Sequence, residues 1–227
     1  NGLQVESEGV IKTLVTGVTA CQELLDAAVA HKADAVLVHH GYFWKDEDPC
    51  LIGMKCQRIK TLLQNNIGLL AYHLPLDIHN VWGNNVQLAK KCSWTIDGSI
   101  KVPDYDALLL KGHLPEKISV KKLLSDLTTV LGRLPLCIGS KERKVKTIAW
   151  CSGAAQDYLA YAIKEGVDVY LTGEVSERTV HMARESGIIF IAAGHHATER
   201  YGVQALGQHC QETFSLKHIN IDIDNPV

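Results

Sequence analysis

The sequence lacks a Cys-x-x-Cys pair, a long apolar run and an N-terminal signal pattern. Its seven cysteines are an odd number, which argues against a disulfide framework or a zinc ribbon and favours reduced thiols. Because no stretch approaches the length of a membrane helix, we expect a cytoplasmic protein without a membrane partner. The chain opens at Asn1-Gly2 rather than at methionine, so we expect further residues in front of it.

An excess of charge of either sign is also lacking. The 23 basic residues nearly balance 25 acidic residues, which gives a net charge of −2 and no bulk footprint for nucleic acid. Nine basic residues nevertheless lie in the middle of the chain: Lys111, Lys117, Lys121, Lys122, Arg133, Lys141, Arg143, Lys144 and Lys146. This pattern favours a solvated face over a polyanion site. Nucleic acid therefore stays a partner that the net charge does not support.

Histidine is abundant, with eleven residues against three phenylalanines, and it occurs in three motifs. The motifs are His39-His40, His73-x-x-x-Asp77 and His195-x-x-x-Glu199. They follow predicted strands at residues 35–38, 67–72 and 188–193. Ligands of open α/β sheets bind at the carboxyl ends of strands, and imidazole and carboxylate are common metal ligands. The three motifs together predict a metal site.

The spacing within the motifs indicates how many ions they could hold. In the third motif, a single helical turn would place both side chains on one face. In the second motif, Pro75 favours a tight loop over a helix. The adjacent His39 and His40 would point to opposite sides of a regular strand. At a strand end, this pair fits two neighbouring ions better than one.

The strand–helix–strand plan occurs twice in the chain. Residues 12–40 align without a gap on residues 146–174, with eight identical positions that include Asp34 over Asp168. Further along, the second motif aligns with the third. Gapless identity together with matched candidate ligands predicts an internal duplication.

The alternation of strands and helices predicts an α/β protein. We expect two related lobes with mixed, largely parallel sheets and a dinuclear metal site between them. The predicted lobes are residues 1–99 with 195–227, and residues 100–194. The alternating residues 216–223 predict a strand that returns to the sheet of the first lobe.

Five stretches of the sequence carry a resemblance to a known family. They are Asn1-Gly-Leu-Gln-Val, Val38-His-His-Gly-Tyr-Phe-Trp, Tyr72-His-Leu-Pro-Leu-Asp, Leu171-Thr-Gly-Glu-Val-Ser-Glu and Ala193-Gly-His-His-Ala-Thr-Glu-Arg. Together they resemble the Nif-three-like family, also called GTP cyclohydrolase I type 2 homologues, and within it the bacterial YbgI branch. The resemblance spans essentially the whole chain.

The resemblance implies a two-lobed α/β fold, a toroidal homohexamer and a dinuclear metal site that faces the interior of the ring. Carried over by motif, the metal ligands are His39, His40, Asp77, His195 and Glu199, with His73 close by. The cofactors would be two divalent metal ions per chain. Nitrogen and oxygen donors of this kind accept zinc, iron, manganese, cobalt or nickel.

Two adjacent cations suit hydrolysis, because they activate a water and bind the oxygens of a substrate. Glu174 takes the place in the second copy that His40 holds in the first, so Glu174 and His73 are the candidate catalytic residues. Glu174 could equally be a carboxylate at a helix start.

We expect a metal-dependent hydrolase that acts on a small, nucleotide-like substrate, although the sequence contains no P-loop and no feature that selects a purine. The alternative is a non-catalytic metal-binding ring that binds nucleic acid or a protein partner. Redox chemistry at a pair of iron ions is a third, weaker option.

Overall fold

The chain divides into two units in the computed structural model, which describes residues 1–103 and 105–227. Unit 1 comprises Asn1–Leu76 and Arg200–Asp224, and unit 2 comprises Asp77–Glu199 and Asn225–Val227. The predicted first lobe also included residues 77–99, 195–199 and 225–227, which this division groups with unit 2. For residues 77–99 the reason is that the strand Thr95–Val102 pairs with the strand that follows it in unit 2.

Eleven strands and eight α-helices are found in the described residues. The strands are β1 Gly2–Val5, β2 Thr13–Thr19, β3 Ala35–His40, β4 Gly68–Ala71, β5 Thr95–Val102, β6 Tyr105–Ser119, β7 Leu136–Ile138, β8 Lys144–Trp150, β9 Val169–Thr172, β10 Ile189–Ala192 and β11 Lys217–Asn220. The helices are α1 Gln22–Ala30, α2 Gly53–Gln64, α3 Leu74–Asp77, α4 Asn84–Lys91, α5 Val120–Leu131, α6 Leu159–Glu165, α7 Glu177–Ser186 and α8 His195–Phe214. Over residues 1–103 and 105–227, none of the helices is long and apolar enough to cross a membrane.

Unit 1 contains a five-stranded sheet in the order β1-β4-β3-β2-β11. Four strands run parallel, and β1 pairs antiparallel at one edge. The central strand β3 is buried on both faces, as its apolar run predicts, with Val36 and Val38 in one core cluster and Leu37 in another. The predicted return of the tail is confirmed, because β11 pairs in parallel with β2.

Unit 2 contains a six-stranded sheet in the order β5-β6-β8-β9-β10-β7. Only β8, β9 and β10 run parallel to one another, whereas β5, β6 and β7 pair antiparallel with their neighbours. The expectation of a largely parallel sheet is therefore wrong for this unit. For the pair β5 and β6 the physical reason is their short connection, because consecutive strands without a crossover helix pair antiparallel.

The two sheets share strand order and register over the predicted repeat. In unit 1, Leu14 of β2 pairs with Ala35 of β3. In unit 2, Ile148 of β8 pairs with Val169 of β9, and each partner lies 134 positions after its counterpart. An antiparallel edge strand also borders the third parallel strand in each sheet, β1 beside β4 and β7 beside β10. This agreement supports the internal duplication, which stays a prediction.

Candidate metal centre

Three histidine rings of unit 1 come together at the carboxyl ends of β3 and β4. His39 and His40 are the last two residues of β3, and His73 follows β4 after a single intervening residue. The ring centroids of the three histidines are 4.6 to 5.3 Å apart. One ring nitrogen from each histidine lies within 4.8 Å of the other two. These residues could hold a metal ion.

Hydrogen bonds fix the orientation of the two rings on β3. His39 is fully buried, and its Nδ1 lies 2.8 Å from the carbonyl oxygen of Tyr72. Because a carbonyl can only accept, Nδ1 carries the proton and Nε2 carries the lone pair that a metal requires. The Nδ1 of His40 lies 3.1 Å from the hydroxyl of Thr19 on the neighbouring strand.

His73 is held by its backbone and by an aromatic neighbour. Its N–H donates to Asn1 Oδ1 at 2.7 Å, and its ring centroid lies 5.1 Å from that of Trp44. The residues that follow form the short helix α3, so the expected tight loop is wrong. Pro75 is the second residue of this helix, in the first turn, where the missing N–H of proline breaks no helical hydrogen bond.

In unit 2, His195 is held by a carboxylate at each ring nitrogen. It is the first residue of α8, and Glu199 follows one turn later, which confirms the predicted helical turn. The Nε2 of His195 lies 3.0 Å from Glu199 Oε2, and its Nδ1 lies 2.6 Å from Glu174 Oε1. The hydrogen bond with Glu199 outweighs burial and raises the pKa of His195 to about 9.

Asp77 and Glu199 form a pair of buried carboxylates in unit 2. Asp77 is 5% exposed and Glu199 is 3% exposed. One carboxylate oxygen of Asp77 lies within 4.8 Å of one carboxylate oxygen of Glu199. Asn84 Nδ2 donates to Asp77 Oδ1 at 2.8 Å, and the Ser152 hydroxyl donates to the same oxygen at 3.3 Å. Two dehydrated like charges at this separation are unfavourable, and a cation beside them would offset both the repulsion and the lost hydration.

Three glycines at the carboxyl ends of β8, β9 and β10 let α8 start directly on the sheet. The N–H of Gly194 donates to the carbonyl of Gly173 at 2.9 Å, and the N–H of Gly173 donates to the carbonyl of Gly153 at 2.9 Å. A Cβ at Gly153 would overlap Glu199 Oε1, and a Cβ at Gly173 would lie 2.7 Å from His195 Cα. Larger residues at these positions would displace the candidate ligands.

Sequence reasoning missed the polar residues that support the carboxylates. Thr198 is fully buried, and its hydroxyl accepts from the N–H of Gly153 at 3.0 Å and donates to the carbonyl of Gly194 at 2.9 Å. Asn84 and Ser152 bind Asp77 as described above. Thr198 lies inside the third motif, next to Glu199, and this position was the signal that could have identified it.

Other groups near the motifs do not join the donors. Cys151 is buried, burial raises the pKa of its thiol, and it belongs to none of the donor groups found among the described residues. His79 Nδ1 accepts from the N–H of Val81 and Trp82 at 3.1 Å each. Within the described part of the chain, His196 and His79 are absent from the groups of three or more donors within 4.8 Å of one another.

All five predicted ligands and His73 do belong to such groups of potential metal donors. Glu174 lies outside them and contacts His195 instead. The donors are imidazole nitrogens and carboxylate oxygens, and they are largely buried. Divalent metal ions accept donors of both kinds, so these residues could hold a metal ion.

Comparisons with known proteins agree with this description. The sequence model of the family described as Duf34/NIF3 (NGG1p interacting factor 3) matches residues 1–226. A Pseudomonas aeruginosa protein named GTP cyclohydrolase 1 type 2 homolog is 54% identical over 226 residues, covering 100% of this chain and 89% of the relative.

Two solved structures have the same fold over the whole chain. The structure titled "Structural genomics, protein ybgI, unknown function" matches with a TM-score of 0.94 and 48% identity, covering 100% of this chain and 90% of the other. The crystal structure of TTHA1606 from Thermus thermophilus matches with a TM-score of 0.88 and 32% identity, with coverage of 100% and 90%. The resemblance seen in the sequence is confirmed, and the chain belongs to the Duf34/NIF3 family.

Proposed function

We propose that this chain binds two divalent metal ions and uses them to hydrolyse a small, nucleotide-like substrate. The observation that carries the proposal is the buried pair Asp77 and Glu199, beside a histidine, His195, whose two ring nitrogens each contact a carboxylate. A buried carboxylate pair is stable when a cation lies beside it, and a carboxylate on the outer nitrogen of a histidine is typical of metal sites.

The number of donors favours two ions over one. The predicted ligands are His39, His40, Asp77, His195 and Glu199. Five donors exceed the four that a single tetrahedral zinc ion takes. Because they are all nitrogen or oxygen, they accept zinc, iron, manganese, cobalt or nickel.

When bound, a pair of such ions supplies Lewis-acid chemistry and a nucleophilic water at neutral pH. The protein residues orient the ligands. The carbonyl of Tyr72 sets the tautomer of His39, and Asn84 and Ser152 hold one oxygen of Asp77. Hydrogen bonds of this kind fix the orientation of ligand side chains and thereby the geometry of a metal site.

The candidate catalytic residues have different surroundings. Glu174 accepts a hydrogen bond from His195, and this contact favours a positioning role over the general-base role. The ring of His73 packs beside Trp44, and imidazole suits proton transfer near neutral pH. We therefore retain His73 as the candidate for moving a proton to the leaving group.

The substrate class rests on the name of relatives such as the Pseudomonas aeruginosa protein, GTP cyclohydrolase 1 type 2 homolog. The alternative, a non-catalytic ring that binds nucleic acid, requires an available basic surface. Several of the basic residues in the middle of the chain instead pair with acids: Lys111 with Glu165, Lys122 with Asp126 and Arg143 with Asp168. The homohexamer stays a prediction from the resemblance.

A turnover screen tests the proposal. Metal-loaded protein is incubated with nucleotides, cyclic nucleotides and modified pterin precursors, and the products are separated by chromatography. We expect metal-dependent hydrolysis of at least one compound class and a loss of about a hundredfold or more in kcat for Asp77→Asn, because carboxylate ligands position the ions. The matched control is Asp106→Asn, an exposed carboxylate paired with Lys101, which should keep full activity. No metal-dependent turnover across the whole panel would contradict the proposal and favour the binding ring.

A further inference from the structure

We propose that Arg133 binds a phosphate group of the substrate at the edge of the candidate metal centre. The identity of the bound molecule as a substrate rests on the proposed function. The binding of phosphate by this guanidinium does not depend on the proposed function.

The fold brings Arg133 to the sheet edge that carries the ligands. Helix α5 ends at Gly132, whose φ of 71° reverses the chain, and the next three residues lead into β7. The first residue of β7, Leu136, pairs antiparallel with Ala192, the last residue of β10. The segment in front of β7 therefore lies at the carboxyl ends of the parallel strands of unit 2, next to the segment that carries His195.

Direct packing confirms this placement of the side chain. A Cβ at Gly194 would overlap Arg133 Nη1 and would lie 3.0 Å from both Cδ and Cζ of Arg133. The guanidinium therefore rests against Gly194, which immediately precedes His195. Gly194 has a φ of 103°, so both its backbone conformation and its missing side chain allow this contact.

One nitrogen of this guanidinium has an unmet hydrogen-bonding requirement. Arg133 is half-buried, its Nη1 is shielded from solvent, and no acceptor in the described part of the chain reaches that nitrogen. A guanidinium is always charged and has five N–H donors, so a buried nitrogen without an acceptor is unfavourable. Phosphate supplies charged oxygens in the geometry that a guanidinium binds through two parallel hydrogen bonds.

The corresponding segment of unit 1 also contacts a candidate ligand. Asn1 directly precedes β1, the antiparallel edge strand of that sheet, and its side chain accepts the N–H of His73. In each unit, the residues in front of the edge strand thus reach the motif that carries the ligands. In unit 1 this contact is an internal hydrogen bond, whereas in unit 2 a guanidinium rests against the backbone of Gly194.

Calorimetric titration of the full chain tests the inference with three probes: AMP, adenosine and inorganic phosphate. We expect Arg133→Ala to weaken the binding of AMP and of phosphate by about tenfold or more, because charge-assisted hydrogen bonds are lost. The affinity for adenosine should not change. Arg133→Lys keeps the charge without the planar fork of N–H donors. Its affinity for AMP and phosphate should lie between that of the wild type and that of Arg133→Ala. Arg178→Ala, an exposed arginine paired with Asp157, is the matched control and should bind like the wild type.

The same titrations on chelator-treated protein separate this inference from the proposed function. If the wild type binds phosphate without holding any metal, and Arg133→Ala loses this phosphate binding, the inference stands while the metal-dependent function fails. Equal AMP affinity in the wild type and Arg133→Ala would overturn it, as would a wild type that binds neither AMP nor phosphate. Dissociation of an oligomer by Arg133→Ala with unchanged AMP affinity would overturn it too, because the guanidinium would then belong to an interface between copies. If Arg133→Lys loses bound metal to the same extent as it loses phosphate affinity, Arg133 has a structural role instead.

Discussion

His195 shows how single residues prepare the centre for a cation. Its Nε2 contacts Glu199, and its Nδ1 contacts Glu174, which lies outside the groups of potential metal donors. A carboxylate on the outer nitrogen of a ligand histidine fixes the ring and increases the basicity of the inner nitrogen. Glu174 would then act on metal affinity rather than on the reacting atoms.

We expect Glu174→Gln to weaken metal binding by about 10- to 100-fold, the usual effect of changing such an outer partner. Competition with a chelating dye measures this affinity. Glu177→Gln is the matched control, because Glu177 also contacts a histidine ring nitrogen, that of His181, but at an exposed site, and its loss should leave metal affinity unchanged. Unchanged affinity in Glu174→Gln with reduced turnover would instead support the general-base role.

Gly153 is the second residue on which the site depends, because a side chain there would occupy the position of Glu199 Oε1. We expect Gly153→Ala to abolish tight metal binding and to lower the free energy of unfolding. Gly166→Ala is the control, since Gly166 also has a positive φ but has open space around it. That control should lose only about 1–2 kcal/mol through backbone strain and keep its metal. Elemental analysis together with urea unfolding measures both effects, and a metal-replete Gly153→Ala would contradict this role.

Equivalent aspartates anchor the first two parallel strands of each unit. Asp34 Oδ2 accepts the N–H of Lys12 and of Thr13 at 2.8 Å each. In unit 2, Asp168 Oδ2 accepts the N–H of Lys146 at 2.9 Å and of Thr147 at 3.1 Å. The same contact at the same position of the predicted repeat indicates that these elements share their folding determinants.

We expect Asp168→Asn to lower the free energy of unfolding by about 0.5–1.5 kcal/mol at pH 7, because two partly exposed backbone N–H groups lose a charged acceptor. Burial opposes ionisation of Asp168, but the N–H donors outweigh it and lower its pKa below 3.8. A carboxylate with a lowered folded pKa stabilises the fold above its unfolded pKa, and this stability is lost as the pH falls. The difference between wild type and variant should therefore shrink at about pH 3.

Urea unfolding at the two pH values measures this difference. Asp106→Asn, at an exposed pair, serves as the control and should have little effect at either pH. A difference for Asp168→Asn that is equally large at both pH values would show that the carboxylate charge is not the source of the stability.

The elements were predictable where local sequence determines them. The apolar run 35–38 predicted the buried strand β3, and the spacing of His195 and Glu199 predicted the first turn of α8. The antiparallel half of the second sheet was missed, because pairing depends on connections that residue periodicity does not encode. Pro75 was misjudged because its effect depends on its place within the helical turn.

Sequence motifs predicted the residues that could hold a metal ion, but not the residues that hydrogen-bond around them. His and acid residues in motifs at strand ends indicate a metal site by residue type alone. Asn84, Ser152 and Thr198 are common polar residues, and only the tertiary fold brings them to Asp77 and to the glycine-rich strand ends. Arg133 has the same limitation, because the antiparallel direction of β7 determines where it lies.

At the scale of the whole molecule, metal binding depends on the folded chain. The six potential donors come from three distant segments, 39–40, 73–77 and 195–199, at the carboxyl ends of β3, β4 and β10. An unfolded chain does not hold such donors in place, so binding of a metal ion by these residues would be coupled to folding. The stoichiometry of bound metal is therefore the property that reports on the complete set of donors.

The most direct measurement is the metal content of purified protein after reconstitution with a divalent metal and removal of excess ion. Elemental analysis should give two ions per chain for the wild type and a marked loss for His195→Ala. His181→Ala removes a histidine that also has a glutamate four residues away, but at an exposed site, and it should retain two ions. One ion or none in the wild type, or an unchanged content in His195→Ala, would contradict the dinuclear centre.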